Sequence, residues 1–445
     1  MSAVWSRTVE RGDDGALRVG GCDVRELAGE FGTPLYIVDE EDMRARAAAF
    51  RDHFTAAFGR HGAKCDVFYA SKSFLSSRVA RWMLDEDLNM DVASGGELEI
   101  ALRGGMPPER IALHGNNKSD AEIERALKVG VGRLVVDSLG EIGIIDAIAF
   151  ELGVKAPVMV RVTTGVHAGG HEYIATSHED QKFGLSLATG AAMDAVRLVH
   201  AAENLELLGI HTHIGSQILS IDAFRESATR MLKLRADFAA ESGVEMPEVD
   251  LGGGYAIAYV PGAESIDPQV AAFEMADAVA EALEAAGGSW PRLSIEPGRA
   301  ISGPAGMTLY RVGVVKTVQL EEGGERAYVA VDGGMSDNMR TITYGAEYSA
   351  TLAARLSDEH PKLSRVVGKH CESGDIVVRN VELPGDVDRG DLLAVPATGA
   401  YGRVMANNYN GLLRPAVVSV RDGEATLLIR RDTMEDLLRW DVAPD

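Results

Sequence analysis

The residue best placed to do covalent chemistry is Lys72, in Tyr69-Ala70-Ser71-Lys72, at the end of a short apolar run. A lysine there is expected close to the protein interior, where desolvation lowers its pKa and frees the amine for Schiff-base formation. Val249-Asp250-Leu251-Gly252-Gly253-Gly254 reads as a strand entering three glycines, so backbone N–H groups can face an anion without side-chain obstruction. Ser216, after His211-Thr212-His213-Ile214-Gly215, offers a hydroxyl at a neighbouring strand end. A flexible turn would also use three glycines, and a surface position would suit a lone lysine.

Glu296-Pro297-Gly298-Arg299 places a carboxylate where Pro-Gly turns the chain sharply. Such a carboxylate could ligate a metal, cap a helix, or pair with a protonated heteroaromatic nitrogen. No Asp, Glu or His stands near it at metal-ligand spacing, and the scattered Cys22, Cys65 and Cys371 make neither a zinc site nor a disulfide framework. An amine that forms imines, a phosphate cradle and a pyridinium partner together specify pyridoxal 5′-phosphate. Alternation along a strand points His211 and His213 to one face; His213, nearer the strand end, is expected to stack on the ring, and His211 to lie deeper as a structural residue.

The elements that must hold these groups are eight apolar, β-branched runs at 67–70, 88–93, 111–114, 133–137, 157–162, 207–214, 248–251 and 292–295. Helix-patterned segments such as 95–102 and 120–127 separate them. Strand and helix alternating eight times predict a (β/α)8 barrel, an α/β fold whose chemistry gathers at the C-terminal strand ends. Those ends carry Lys72, Asp91, His114, Asp137, Arg161, His213, Gly252 to Gly254 and Glu296. After about Gly298 the texture changes to short β-type runs at 308–315, 327–331, 375–378, 392–394 and 416–420, which predict an all-β domain. The expected division is 1–40 as an N-terminal segment joining the β-domain through the run 34–38, 41–298 as the barrel, and 299–445 as the β-domain.

With 445 residues, the chain is long enough for both domains, and its net charge of -23 opposes binding to nucleic acid or anionic membranes. No apolar run approaches a membrane span, and Met1-Ser2-Ala3-Val4-Trp5-Ser6-Arg7 lacks the core of a signal peptide, so a cytosolic location is expected.

Tyr69-Ala70-Ser71-Lys72, residues 91–97, 211–217, 252–254 and 296–299, Cys371-Glu372-Ser373-Gly374-Asp375 and Gly399-Ala400-Tyr401-Gly402 occur in order over most of the chain. This series resembles the barrel-type, pyridoxal-phosphate-dependent amino-acid decarboxylases. Asp337-Asn338-Met339-Arg340, Tyr344-Gly345-Ala346 and the Cys-Glu-Ser-Gly-Asp motif are most similar to the branch that converts meso-2,6-diaminopimelate to L-lysine and carbon dioxide. The resemblance implies that Lys72 anchors the cofactor, Glu296 pairs with its ring nitrogen and His213 stacks on it. Asp91, Ser216, Gly253, Gly254, Pro297, Gly298, Arg299 and Tyr401 would complete its binding. It further implies substrate contacts from Arg299, Arg340, Tyr344, Glu372 and Tyr401, and a homodimer whose shared sites receive Cys371 as acid from the opposite subunit. From the residues alone, Cys371 reads as a buried thiol.

Two stretches depart from the family pattern: Ser73-Phe74 after the lysine, where Phe74 could reshape the cofactor mouth, and Val162-Thr163-Thr164-Gly165. A decarboxylase of ornithine, arginine or a carboxylated polyamine is the nearer rival, opposed by the Arg340 and Glu372 pair suited to a diamino diacid. A racemase of similar plan would carry arginine at the ring nitrogen, whereas Glu296 stands here. A non-catalytic relative would have lost Lys72 or Cys371.

Overall fold

The eight apolar runs become eight short parallel strands in the computed structural model, which describes residues 3–166 and 182–442. They are β1 (Cys65–Ala70), β2 (Asn89–Val92), β3 (Ile111–Leu113), β4 (Arg133–Val136), β5 (Ala156–Thr163), β6 (Leu205–His211), β7 (Glu248–Asp250) and β8 (Arg292–Ile295). Each pairs with its neighbour. Closure comes from β4 with β5, where Leu134 faces Val158, and β8 with β1, where Leu293 faces Cys65. Both faces of such strands are covered, which is why they read as near-continuous apolar runs instead of alternating ones.

The chain divides into two compact units: 46–256 with 265–298, which holds the barrel, and 1–45 with 257–264 and 299–445. The excursion at 257–264 has no counterpart in the sequence expectation.

In the first half of the barrel one device repeats. Ser94, Ser119 and Ser138 cap the helices Gly95–Arg103, Asp120–Val129 and Leu139–Leu152, each accepting from the backbone N–H three residues on. The residues at those third positions are Glu97, Glu122 and Glu141, and their carboxylates reach back to their own loops, accepting from the N–H groups of Ala93 (2.7 Å), Ser119 (3.0 Å) and Asp137 (2.8 Å). Each also holds the preceding loop. Glu97 accepts from the Ser71 hydroxyl at 2.8 Å, Glu122 from Gly95 N–H at 2.7 Å, and Glu141 from the buried Lys118 ammonium at 2.9 Å.

The second unit is built on the long strand Gly306–Gln319, which pairs antiparallel with Glu325–Val331, with Leu392–Pro396 and with the N-terminal strand Leu35–Asp39. Leu35–Asp39 also runs parallel to Ala416–Arg421. Two apolar clusters fill this unit, one around Leu35, Leu309 and Val418, the other around Tyr310, Val329 and Val366. It is not wholly β, because the helix Val24–Phe31, capped by Asp23, and the short helices Arg340–Tyr344 and Met434–Leu438 belong to it. The strands Pro361–Val367 and Glu424–Ile429 were not expected from the sequence.

Candidate active site

Strand β8 ends at Ile295, and the next residue, Glu296, is buried. His211, the last residue of β6, brings Nε2 to 3.0 Å from Glu296 Oε1, and His114 Nε2 lies 3.4 Å from the same oxygen and 3.4 Å from Asp91 Oδ1. The ligand-type atoms of His114, His211 and Glu296 lie within 4.8 Å of one another, compact enough to share a cation as well as to surround a ring nitrogen. Asp91 Oδ1, His114 Nε2, both His211 ring nitrogens and Glu296 Oε1 are buried without a well-formed hydrogen bond. Because orphaned buried polar atoms are costly, their gathering marks a place suited to a polar ligand.

Burial sets the protonation of this group. It pushes the Glu296 carboxyl up to about 7, with the Asp91 charge adding to the rise while His114 and Lys72 oppose it. Burial takes His114 down to about 4 and His211 and His213 well below the usual imidazole range, leaving three neutral rings. The Lys72 charge acts on Asp91, His114, His211, His213 and Glu296, which places it within reach of the whole group.

Lys72 itself sits in the single turn Ser71–Ser73 that follows β1, and it is exposed. The expectation of a lysine desolvated by burial is therefore corrected: the turn carries the side chain out of the sheet, while its neighbours Ser71 and Ser73 are buried. Phe74, expected to reshape the mouth, is buried, and its carbonyl accepts from the Tyr69 hydroxyl at 2.6 Å.

The glycine cradle is narrower than three free N–H groups. Gly252 N–H donates to Asp250 Oδ1 at 2.8 Å and Gly253 N–H to His213 Nδ1 at 3.4 Å. Gly254 follows at φ +118. Absence of side chains matters here chiefly for approach: a Cβ on Gly252 would lie 2.3 Å from the Thr212 carbonyl, and one on Gly253 2.1 Å from that of Glu296. Ser216, with φ +147 at the preceding Gly215, lies on the adjacent loop. β6 stops at His211, so strand alternation does not govern His213; its Nδ1, accepting from Gly253, turns the ring instead. His211, expected to be structural, is the ring that meets Glu296. Pro297 accepts from Ala70 N–H at 3.4 Å, and Gly298 packs where a Cβ would fall 2.8 Å from the Ala70 carbonyl.

In the other unit, two guanidinium groups share one aromatic. Arg299 donates to the Tyr259 hydroxyl and lies 4.6 Å over the Tyr401 ring, whereas Arg340 lies 4.7 Å over Tyr259 and donates to the Tyr348 hydroxyl at 2.7 Å. Tyr259 and Tyr348 escaped the sequence reading. Tyr401 adopts φ +57 and Tyr344 is 53% exposed at the end of its helix. Cys371 is exposed, correcting its reading as a buried thiol, and its N–H donates to Asn410 Oδ1 at 3.2 Å. Glu372 is exposed beside it, accepting from Ser373 and Gly374. Just before them, His370 is buried with Nδ1 2.9 Å from Asp375 and its ring stacked on Tyr409.

The family model for the pyridoxal binding domain of pyridoxal-dependent decarboxylases matches residues 41–303. The chain is 49% identical over 443 residues to the diaminopimelate decarboxylase of Mycobacterium tuberculosis (strain ATCC 25618 / H37Rv), covering 99% of this chain and 98% of that protein. The chain belongs to the diaminopimelate decarboxylase family. A Bacillus subtilis (strain 168) diaminopimelate decarboxylase is 42% identical over 435 residues, with 98% and 97% of the two chains covered. The diaminopimelate decarboxylase of M. jannaschii, solved with L-lysine, superposes with a TM-score of 0.88 at 32% identity over 99% of this chain and 98% of that one. As a member of this family the chain is a pyridoxal-phosphate-dependent carboxy-lyase. The buried orphan atoms around Glu296 and the glycine turn at 252–254, where a Cβ would strike backbone, fit that cofactor. Among the described residues no helix is long and apolar enough to cross a membrane.

Proposed function

We infer that the protein removes one carboxyl group from meso-2,6-diaminopimelate to give L-lysine and carbon dioxide. The observation that carries this reading is the buried carboxylate Glu296 at the mouth of the barrel, beside neutral histidines and within the field of Lys72. Pyridoxal 5′-phosphate, when bound, supplies a carbonyl carbon that takes up amines and a ring that accepts the electron pair released as carbon dioxide leaves. Lys72 Nζ would be the amine that anchors it. Glu296 would hold a proton at the ring nitrogen. His213 would stack on the ring, and Gly253, Gly254 and Ser216, with Asp91, Pro297, Gly298, Arg299 and Tyr401, would complete the binding of the cofactor.

For substrate, Arg299, Arg340, Tyr344 and Tyr401 take the carboxylates, because guanidinium groups match them bidentately, and Glu372 takes the distal ammonium. The Cys371 thiol delivers the proton that replaces carbon dioxide on the α-carbon, and its exposed position suits action across a two-fold homodimer. Three free cysteines support a reducing, cytosolic setting. The test is direct. Purified protein incubated with the cofactor and meso-diaminopimelate should release lysine, and borohydride should fix the pyridoxyl label on Lys72. Faster turnover of ornithine or arginine than of meso-diaminopimelate, or a label on another lysine, would refute it.

A further inference from the structure

Glu296 does not stand alone at the end of β8: two imidazoles converge on the same oxygen, His211 Nε2 at 3.0 Å and His114 Nε2 at 3.4 Å, with their ring centroids 4.9 Å apart and nearly edge-on. All three residues are buried or nearly so, and His114 has a second carboxylate, Asp91, at 3.4 Å. The three come from three different strand ends, so their meeting is a product of barrel closure and not of a local turn. A carboxylate free to rotate would place either oxygen, at either tilt, toward a ligand. One with two ring nitrogens at 3.0 and 3.4 Å from its Oε1, neither in a well-formed hydrogen bond, has donors at hand to hold that oxygen and leave the other for a ligand.

We propose that His211, supported by His114, is a positioning residue that clamps Oε1 of Glu296 and thereby fixes the carboxylate for the cofactor's ring nitrogen. The inference rests on the cofactor reading of the preceding section. Neither histidine need touch the cofactor. Their unfilled nitrogens supply the donor that an ionised Glu296 requires in a dry site, so that its negative charge is available to stabilise a protonated pyridine.

The experiment uses holoenzyme reconstituted with pyridoxal 5′-phosphate carrying 15N in its ring, with two readouts, the ring-nitrogen chemical shift and the cofactor dissociation constant. The wild type should show a protonated ring nitrogen with the cofactor attached at Lys72. Failure there would overturn the cofactor reading, and this inference with it, before any histidine is changed. With the wild type as expected, His211→Leu should move the 15N signal toward the unprotonated position and weaken the cofactor by about tenfold or more, the loss of one hydrogen bond to a charged group. His211→Gln, which keeps an amide donor at similar reach, should restore the shift. Should the Leu variant not fold, His211→Asn, polar but too short to span the gap, takes its place with the same expected shift. A 15N signal and a dissociation constant unchanged within twofold in either variant, or a Gln variant no better than Leu, would overturn the clamp and leave His211 as packing alone.

Discussion

Replacing Gly253 by alanine adds a single methyl group, and the structure says where it must go. The ideal Cβ falls 2.1 Å from the Glu296 carbonyl oxygen and 3.6 Å from the Glu296 Cβ. Ordinary contact begins near 3.4 Å, so backbone of β8 or of the glycine turn must move by about 1.3 Å. No rotamer change relieves a clash with a carbonyl. Gly253 is not among the residues of positive φ, so the cost is one of space alone. Overpacking of this kind typically costs about 1–3 kcal/mol, and displacement of a binding group by an ångström costs about 100-fold in rate. The matched control is Gly143→Ala, exposed within the helix Leu139–Leu152, where a Cβ meets nothing within 4 Å. There the same methyl should stabilise by about 0.5–1 kcal/mol. Urea unfolding of both variants, with cofactor titration followed by absorbance, reads the two effects separately. Gly253→Ala binding the cofactor within twofold of wild type, at unchanged stability, would refute the claim that the close approach of the cradle to Glu296 matters.

Glu296 carries a pH signature. Its carboxyl is raised from the usual 4.5 to about 7 in the folded protein, so the folded state binds this proton more tightly than the unfolded chain does, and ionisation progressively destabilises the fold between those two values. Cofactor-free Glu296→Gln should therefore match wild type in stability below about pH 4.5 and exceed it by at most about 3 kcal/mol above pH 7; denaturant melts across that range showing a constant difference would contradict this. Arg340→Ala and Glu372→Ala should each raise KM for meso-diaminopimelate by about 10- to 100-fold through loss of a charge-assisted bond, measured as lysine release, with an unchanged KM in both removing them from substrate recognition. Lys72→Ala and Cys371→Ala should each be nearly inactive, yet exchange of tagged subunits should return part of the activity in the heterodimer, where one site has both residues. Heterodimers without recovery would place Cys371 in its own subunit's site or outside catalysis.

The barrel was readable because most of its strands carry a buried apolar run, as in Arg133–Val136, where all four residues are buried. The strands Pro361–Val367 and Glu424–Ile429 were missed because Lys362, Ser364 and Arg365 in the first and Glu424 and Thr426 in the second break the apolar run. What sequence spacing could not report is closure. His114 and His211 are nearly a hundred residues apart and Glu296 is farther still, yet parallel strands in a ring bring their ends together. The same blindness hid Tyr259 and Tyr348 beside Arg299 and Arg340. Lys72 was identified from its place after β1, but its exposure was misjudged, since the turn Ser71–Ser73 directs it outward where continuing strand would have buried it.

The linked carboxylates along the first half of the barrel give that rim a direction. Glu97 secures the Ser71 turn, Glu122 secures the loop that begins the helix of Glu97, and Lys118, in the loop before Glu122, is secured in turn by Glu141. Each acid is placed by the helix it begins but acts on the loop before it, so order is handed backward along the chain from β4 to β1. Loosening the start of the helix Leu139–Leu152 therefore propagates through three successive loops. The reactive amine inherits its steadiness from a helix nearly seventy residues downstream.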